Sequence, residues 1–222
     1  MTPPTDPSPT PPARLDHLVY VTPDVSASID DLESRSGATV TLGGSHVGKG
    51  TRNAFLAIGE RAYVEILGPD EDDTTFTGAR RFGLDDLREP KLLTWCVEPD
   101  DLRTQARSAA EDGYDPGEVM PLSRRKPDGE VLRWTLVTHT FGDLGAAFDG
   151  VVPFMIDWEG ARHPTTDLEQ QITLRDFSAE HPDPRGARAA LAAVGASLDV
   201  EPGAGPSLTA VFETPAGTLT LR

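Results

Sequence analysis

The order of predicted elements repeats along the chain, and this repetition is the strongest constraint on the fold. Residues 14–70 predict a strand, a helix and three strands, and residues 90–160 repeat that order. In each repeat the first strand ends at a Pro-Asp pair, Pro23-Asp24 or Pro99-Asp100, where a helix begins. Repetition of this kind indicates duplicated supersecondary units. The sequence therefore predicts an α+β fold in which repeated βαβββ units form a cup-shaped, curved mixed sheet with helices on the outside.

The two ends of the chain follow this pattern less closely. Residues 168–222 form a third, partial unit with strand and helix signals in the same order. This unit would complete a second cup or close one across a homodimer, and the sequence leaves both arrangements open. The first 13 residues, MTPPTDPSPTPPA, are rich in proline, which predicts a disordered or extended tail.

The charge of the chain excludes several kinds of partner. Its 222 residues include 36 Asp and Glu against 20 Lys and Arg, a formal net charge of −16. Such a surface repels phosphate backbones and anionic lipids, so we expect neither nucleic acids nor membranes as partners. The only cysteine, Cys96, cannot form an intramolecular disulfide and lies in an apolar run. We therefore predict a buried, unreactive thiol and a cytoplasmic protein.

Two residues of the first unit are suited to hold a metal ion. His17 lies on the first predicted strand and Glu65 on the fourth. Alternate residues of a strand face the same side of a sheet, so these side chains can meet inside the cup if the strands are neighbours. An imidazole with a carboxylate suits Zn, Fe, Mn or Ni. The alternative is a hydrogen-bonded core histidine and an unrelated glutamate at a strand end.

The segment GGSHVGKGTRN, residues 43–53, begins like a phosphate-binding P-loop. That motif needs Ser or Thr directly after its Gly-Lys and must lead into a helix. Here Gly50 takes that position, and TRNAFLAIG predicts a strand, so we reject nucleotide binding. The segment could instead hold an anionic or carbonyl-bearing ligand, or form a solvated connection. Its candidate donors are His46, Lys49, Arg52 and Asn53.

The second unit adds aromatic and basic side chains around a predicted turn at PDG, residues 127–129. Arg125 is a candidate partner for a carboxylate and Trp134 for a stacking wall, while Arg124 and Arg133 are expected on the surface. Further candidates lie in PFMIDWEGARHP. The predicted site residues are His46 and His163 as catalytic groups, Asn53, Trp95, Arg125, Trp134, Asp157 and Trp158 for substrate, and His17 and Glu65 for metal.

Several segments together resemble the glyoxalase-like domain family of the vicinal oxygen chelate superfamily. They are LDHLVYVTPD, GGSHVGKGTRN, AYVEILGPD, LTWCVEP, SRRKPDGEVLRW, PFMIDWEGARHP and TPAGTLTL, which cover nearly the whole chain after the tail. The resemblance implies paired βαβββ units around a divalent metal that chelates vicinal oxygens of a substrate. It also implies that His17 and Glu65 are the ligands of the first unit. Members include isomerases, lyases, epimerases, dioxygenases and thiol transferases, and also bleomycin-binding proteins without metal.

The second unit departs from the pattern of the family. Aligning the two Pro-Asp pairs puts Leu93 in the position of His17, with Thr94 beside it. Its fourth strand offers Asp157 or Glu159 in place of Glu65. A full set of two histidines and two carboxylates is therefore absent, and His46 or His163 would have to supply a further ligand.

Two functions remain compatible with this sequence. The first is a divalent-metal-dependent lyase or isomerase, or a dioxygenase, acting on a small oxygenated metabolite in the cup. The second is a metal-free protein that binds or sequesters a small molecule, such as a cation, in an acidic cup. The predicted partners are thus a small-molecule ligand and a second copy of the chain.

Overall fold

Strands of the first two units meet edge to edge and close a barrel of eight strands, with helices on its outer side, so the predicted fold class is confirmed. The computed structural model describes residues 13–46, 48–125, 129–139 and 144–222, without the side chain of Arg125. The first unit comprises β1 Arg14–Val21, α1 Val25–Ser36, β2 Thr41–His46, β3 Thr51–Gly59 and β4 Ala62–Pro69. The second comprises β5 Lys91–Glu98, α2 Leu102–Glu111, β6 Glu118–Arg125, β7 Val131–Thr138 and β8 Phe154–Asp157. Around the barrel the order is β1-β4-β3-β2-β6-β7-β8-β5.

The first strand of each unit lies at the centre of this arrangement. β1 pairs in parallel with β4 and antiparallel with β5, the first strand of the other unit. It is covered on both faces, because Leu18 contributes to the core under the helices and Val19 to the barrel interior. Each following helix begins at an aspartate: Asp24 accepts the backbone N–H of Ala27 and Asp101 that of Thr104.

The third unit does not take part in the barrel. It comprises β9 Thr173–His181, α3 Pro184–Ala193, β10 Asp199–Pro202, β11 Ser207–Thr214 and β12 Gly217–Leu221. Its sheet has the order β10-β9-β11-β12. Its first strand, β9, therefore pairs with β10 and β11 rather than with the last strand, β12. This sheet packs against the outside of the barrel, where Phe177 meets the ring of Trp95 at 5.2 Å. The first two units therefore close the cup without help from the third.

The pairing of β1 with β5 defines which residues of the two units are equivalent. β1 has a β-bulge at Asp16 and β5 has one at Leu93. The two bulges occupy matching positions, directly before His17 in β1 and directly before Thr94 in β5. His17 lies opposite Cys96 and Thr94 lies opposite Val19, so exchanging the two strands places Thr94 in the position of His17. The alignment on the Pro-Asp pairs was wrong by one residue, since Asp101, not Asp100, caps α2.

The same register corrects the expectation for the fourth strand of the second unit. Val19 lies opposite Glu65 in the first unit, and its equivalent, Cys96, lies opposite Phe154. Phe154 therefore takes the place that Glu65 has in the first unit. Thr94 and Phe154 are not metal ligands, so the second unit contributes neither of the two equivalent ligands.

The segment that resembles a P-loop forms part of a β-hairpin. Its residues Gly43–His46 belong to β2, whereas the sequence predicted a loop there, and β3 confirms the predicted strand. Since no helix follows, the hairpin supports the rejection of nucleotide binding. Residues 127 and 128 of the predicted PDG turn and the first 12 residues of the tail lie outside the described residues. Among the helices described, none is long and apolar enough to cross a membrane.

Candidate functional site

A cavity opens inside the barrel and brings together most of the predicted site residues. Its polar wall comes mainly from the first unit and its aromatic wall from the second. Six predicted residues line it: His17, His46, Asn53, Glu65, Trp134 and Trp158. The two tryptophan rings lie 5.5 Å apart, and the ring of His46 lies 6.1 Å from Trp134. The predicted association of these residues therefore matches the geometry of the cavity.

Asp16, which the sequence did not indicate, is the most strongly bound polar group beside the cavity. It is 1% exposed and accepts three hydrogen bonds. His17 Nδ1 lies 2.5 Å from Oδ1, while Trp158 Nε1 at 2.8 Å and His163 Nε2 at 3.1 Å both bind Oδ2. Burial acts to raise the pKa of Asp16, but the hydrogen bonds from His163 and His17 outweigh it and hold this pKa well below the usual range. Asp16 is therefore an ionised carboxylate inside the protein.

The contact with Asp16 sets the tautomer of His17. An ionised carboxylate can only accept hydrogen bonds, so Nδ1 of His17 donates to Asp16, and in the neutral imidazole the lone pair lies on Nε2. This Nε2 lies 3.7 Å from Oε2 of Glu65. The ring stacks on Tyr63, with centroids 4.9 Å apart and planes inclined by 17°. His17 is thus held in one orientation with its basic nitrogen toward Glu65.

His46 approaches Glu65 from the neighbouring hairpin. Its Nε2 lies 3.8 Å from Oε1 of Glu65, and its Nδ1 lies 2.9 Å from the hydroxyl of Thr51. Asn53 Nδ2 donates to the same Oε1 at 2.6 Å and holds the carboxylate in place. Burial lowers the pKa of His46 to about 4, although Glu65 acts in the opposite direction. His46 is therefore neutral at pH 7, the state in which imidazole binds metals.

These donors are suited to a divalent metal ion. Two imidazole nitrogens face opposite oxygens of one carboxylate at separations of 3.7 and 3.8 Å, too long for hydrogen bonds. Metal–ligand bonds of about 2.0–2.2 Å can span such separations. The carboxylate of Asp16 accepts a hydrogen bond from Nδ1 of His17, the nitrogen that points away from Glu65. Metal-binding histidines are commonly oriented by such a carboxylate. Residues His17, His46 and Glu65 therefore fit the metal that the family resemblance implies.

A second group of potential ligands, Asp16, His17 and Cys96, lies within 4.8 Å. It is less suited to a metal, because Asp16 already accepts three hydrogen bonds and Nδ1 of His17 carries a proton. Burial also raises the pKa of the Cys96 thiol well above its ordinary value. The thiol therefore stays protonated, and its predicted burial is confirmed.

The charge of the cavity is opposite to that of the surface. Lys49, Arg81 and Arg124 line it, and Glu65 is the one carboxylate among its described lining residues. Arg124 was expected on the surface, yet it is 4% exposed, donates to the carbonyl of Gly43 and lies over the ring of Phe55 at 4.7 Å. The acidic cup predicted from the net charge is therefore wrong.

Four predicted site residues lie elsewhere or are not described at the side-chain level. Trp95 lies on the outer face of the barrel, where its Nε1 donates to the carbonyl of Val151 at 2.8 Å. Asp157 is exposed and accepts the backbone N–H of Glu159 at 2.7 Å. His163 is buried behind the cavity wall, where it contacts Asp16. The side chain of Arg125 lies outside the described residues.

Gly43 leaves the space that two cavity side chains occupy. A β-bulge separates the pairing of Leu42 from that of Gly44, and a Cβ atom on Gly43 would overlap Asn53 Oδ1 and the ring of Phe55. We expect Gly43→Ala to lower the free energy of unfolding by about 1–3 kcal/mol, as overpacking does. Urea denaturation measures this change. Gly205→Ala, where nothing lies within 4 Å, is the matched control and should change stability by less than about 0.5 kcal/mol. Equal effects at both positions would show that Gly43 has no packing role.

The fold and cavity define a class of protein: an eight-stranded barrel of two βαβββ units with a polar binding site inside. The sequence profile of the glyoxalase-like domain family matches residues 15–195. The chain therefore belongs to the glyoxalase-like domain family, and the resemblance stated from the sequence is confirmed. No curated protein matches the chain.

One solved structure shows the same fold, and two others are similar over parts of their length. A hypothetical protein from Staphylococcus aureus is 13% identical, with a TM-score of 0.67 over 88% of each chain. Methylmalonyl-CoA epimerase from Mycobacterium tuberculosis is 16% identical over 67% of this chain and 89% of its own, with a TM-score of 0.42. A mutant of 4-hydroxymandelate synthase from Streptomyces coelicolor is 14% identical over 95% of this chain and 62% of its own, with a TM-score of 0.45. At 13% identity the likeness to the Staphylococcus aureus protein concerns the fold alone.

Proposed function

We propose that the chain is a divalent-metal-dependent lyase or isomerase that acts on a small oxygenated metabolite in the barrel cavity. One observation carries this proposal: the Nε2 atoms of His17 and His46 face the two oxygens of Glu65 at 3.7 and 3.8 Å inside the barrel cavity. A concave site with apolar and aromatic walls and a few convergent polar groups is typical of small-molecule binding. His17, His46 and Glu65 are the proposed metal ligands, with Zn, Fe, Mn or Ni as the candidate ions.

A bound divalent metal would polarise oxygen atoms of the substrate, which is the chemistry that lyases and isomerases of oxygenated compounds need. The residues of the chain prepare that position. Asp16 keeps the proton of His17 on Nδ1, and Asn53 holds one oxygen of Glu65. The low pKa of His46 makes it a ligand rather than a proton acceptor at pH 7.

His163 was predicted as a catalytic group, and we assign it a positioning role instead. The backbone N–H of Thr165 donates to its Nδ1 at 3.3 Å, so its Nε2 carries a proton and donates a hydrogen bond to Asp16. Asp16 in turn orients His17. Through these contacts His163 supports the proposed ligand set without lining the cavity.

Metal content tests this proposal directly. We expect about one divalent metal per chain of untagged protein and at least about a tenfold loss of metal affinity in His17→Asn, His46→Asn and Glu65→Gln, because each removes a ligand. Mass spectrometry after incubation with Mn, Fe, Ni or Zn measures the content. Glu118→Gln, an exposed carboxylate on β6, is the matched control and should keep its metal. Folded wild-type protein without metal under these conditions would contradict the proposal.

A metal-free binding protein is the second candidate, and one observation favours it. The second unit has Thr94 and Phe154 where the first unit has His17 and Glu65, so half of a symmetric metal site is missing. The tryptophan-lined wall would then hold the ligand by apolar contact. This candidate predicts that small molecules, and not divalent metals, raise the melting temperature.

A further inference from the structure

Arg81 is a cavity residue with two side-chain nitrogens that have no hydrogen-bond partner among the described residues, although its guanidinium lies over the ring of Phe82 at 4.9 Å. It lines the cavity at the start of a short 3₁₀ segment, Arg81–Asp86. Its Nε and Nη2 atoms are buried and make no hydrogen bond. Buried polar groups in proteins are nearly always hydrogen-bonded, and an unpaired buried charge is especially costly. Such a group at a binding cavity is expected to gain its partner from a ligand.

The preceding residue, Arg80, shows that the lack of hydrogen-bond partners is not a general property of the segment. Arg80 uses its donors within the protein: Nε donates to the carbonyl of Gly50 at 2.7 Å, and Nη1 to Asp85 at 2.7 Å. Its backbone N–H also donates to Asp85 at 2.7 Å. These contacts anchor the segment to the hairpin at Gly50. Arg80 therefore fixes the position from which Arg81 reaches the cavity wall.

Protein groups near Arg81 do not neutralise it. Burial lowers the pKa of Arg81, and Glu65 opposes this effect through space without a hydrogen bond. Glu65 is already engaged by Asn53 and faced by His17 and His46. An anion supplied from solution would be attracted by Arg81 and by the neighbouring cations of the cavity.

The shape of the free donors specifies the anion. Nε and Nη2 form one edge of the planar guanidinium, and two parallel N–H groups match the two oxygens of a carboxylate. The lining of the cavity is also aromatic, with Trp134, Phe154 and Trp158 among its residues. The ligand should therefore combine one carboxylate with an apolar or aromatic body.

We propose that the substrate of this cavity is a small carboxylate, bound through the Nε–Nη2 edge of Arg81, with its apolar part against the tryptophan wall. This inference deepens the proposed function, because it names the substrate class of the same cavity. It does not depend on the metal, since Arg81 is separate from the proposed ligands.

The test compares two compounds of nearly the same shape that differ in charge. Phenylacetate carries a carboxylate, and phenylacetamide carries a neutral amide. We expect metal-free wild-type protein, prepared with EDTA, to bind phenylacetate about tenfold or more tightly than phenylacetamide, because charge-assisted hydrogen bonds discriminate on that scale. Isothermal titration calorimetry measures both affinities.

Variants assign the effect to Arg81. Arg81→Gln should lose about tenfold or more in phenylacetate affinity and retain its affinity for phenylacetamide, which also reports that the cavity is intact. Arg81→Lys should be intermediate, because an ammonium keeps the charge without the planar edge. Arg61→Gln, an exposed arginine bound to Glu98, is the matched control and should behave as wild type.

Three results would overturn the proposal: equal binding of the two compounds by wild type, no binding of either, or unchanged phenylacetate affinity in Arg81→Gln. Competition by inorganic phosphate as strong as by phenylacetate would overturn the assignment to carboxylates. Because metal is absent throughout, failure here would leave the metal assay unaffected. A negative metal assay would likewise leave the carboxylate site standing.

Discussion

Replacing Asp16 by alanine is expected to lower the free energy of unfolding by about 3–5 kcal/mol, the usual cost of breaking a buried charged pair. Three buried donors would lose their acceptor together: His17 Nδ1, His163 Nε2 and Trp158 Nε1. Urea denaturation followed by circular dichroism measures the loss.

Two variants make the Asp16 result interpretable. Asp16→Asn preserves the shape but offers one acceptor oxygen in place of two, so its loss should be smaller than that of Asp16→Ala. Asp30→Ala removes an exposed aspartate from α1 and should change stability by less than about 0.5 kcal/mol. If Asp16→Ala costs no more than Asp30→Ala, the three hydrogen bonds do not stabilise the barrel.

The stability of the metal-free protein is expected to fall by about 3 kcal/mol between pH 6.5 and pH 4 through His46 alone. Burial lowers the pKa of His46 from 6.5 to about 4 in the folded protein. Between these values the unfolded chain binds a proton that the folded protein does not, so the free energy of unfolding decreases as the pH falls. Above pH 6.5 both states are neutral and the effect is absent.

Comparison with His46→Asn isolates this contribution. The variant cannot take up the proton, so the difference in unfolding free energy between it and wild type should change by about 3 kcal/mol over that pH range. Urea denaturation at several pH values, with EDTA present, measures the difference. A difference independent of pH would show that His46 titrates at its ordinary value in the folded protein.

Periodicity and turn signals in the sequence were enough to predict the repeated βαβββ units and their curved, cup-shaped sheet. Successive side chains of a strand point to opposite faces of the sheet, and this local rule places His17 on β1 and Glu65 on β4 on the same side. The helices follow from capping aspartates, and β3 from its continuous apolar run. These features depend on residues close in sequence, so they could be predicted without knowledge of the tertiary pairing.

Other features of the site depend on long-range pairing and could not be predicted in this way. Simple alternation puts Asp16 on the face opposite to His17, but the bulge against β5 brings both side chains together. The alignment of the two units was shifted by one residue because Asp101, not Asp100, caps the second helix. Arg81 lies in a segment without periodicity, so nothing near it in the sequence indicates that its charge reaches the cavity.

The equivalence of Thr94 with His17, and of Phe154 with Glu65, has a consequence for how such a site can change. In a symmetric dimer of identical subunits, every substitution appears twice, once in each half of the site. A single chain that carries both halves is free of this restriction. One half can specialise in polar chemistry while the other becomes an apolar support. Thr94→His combined with Phe154→Glu would restore the symmetric arrangement, and this offers protein engineers a defined starting point for building a second set of ligands.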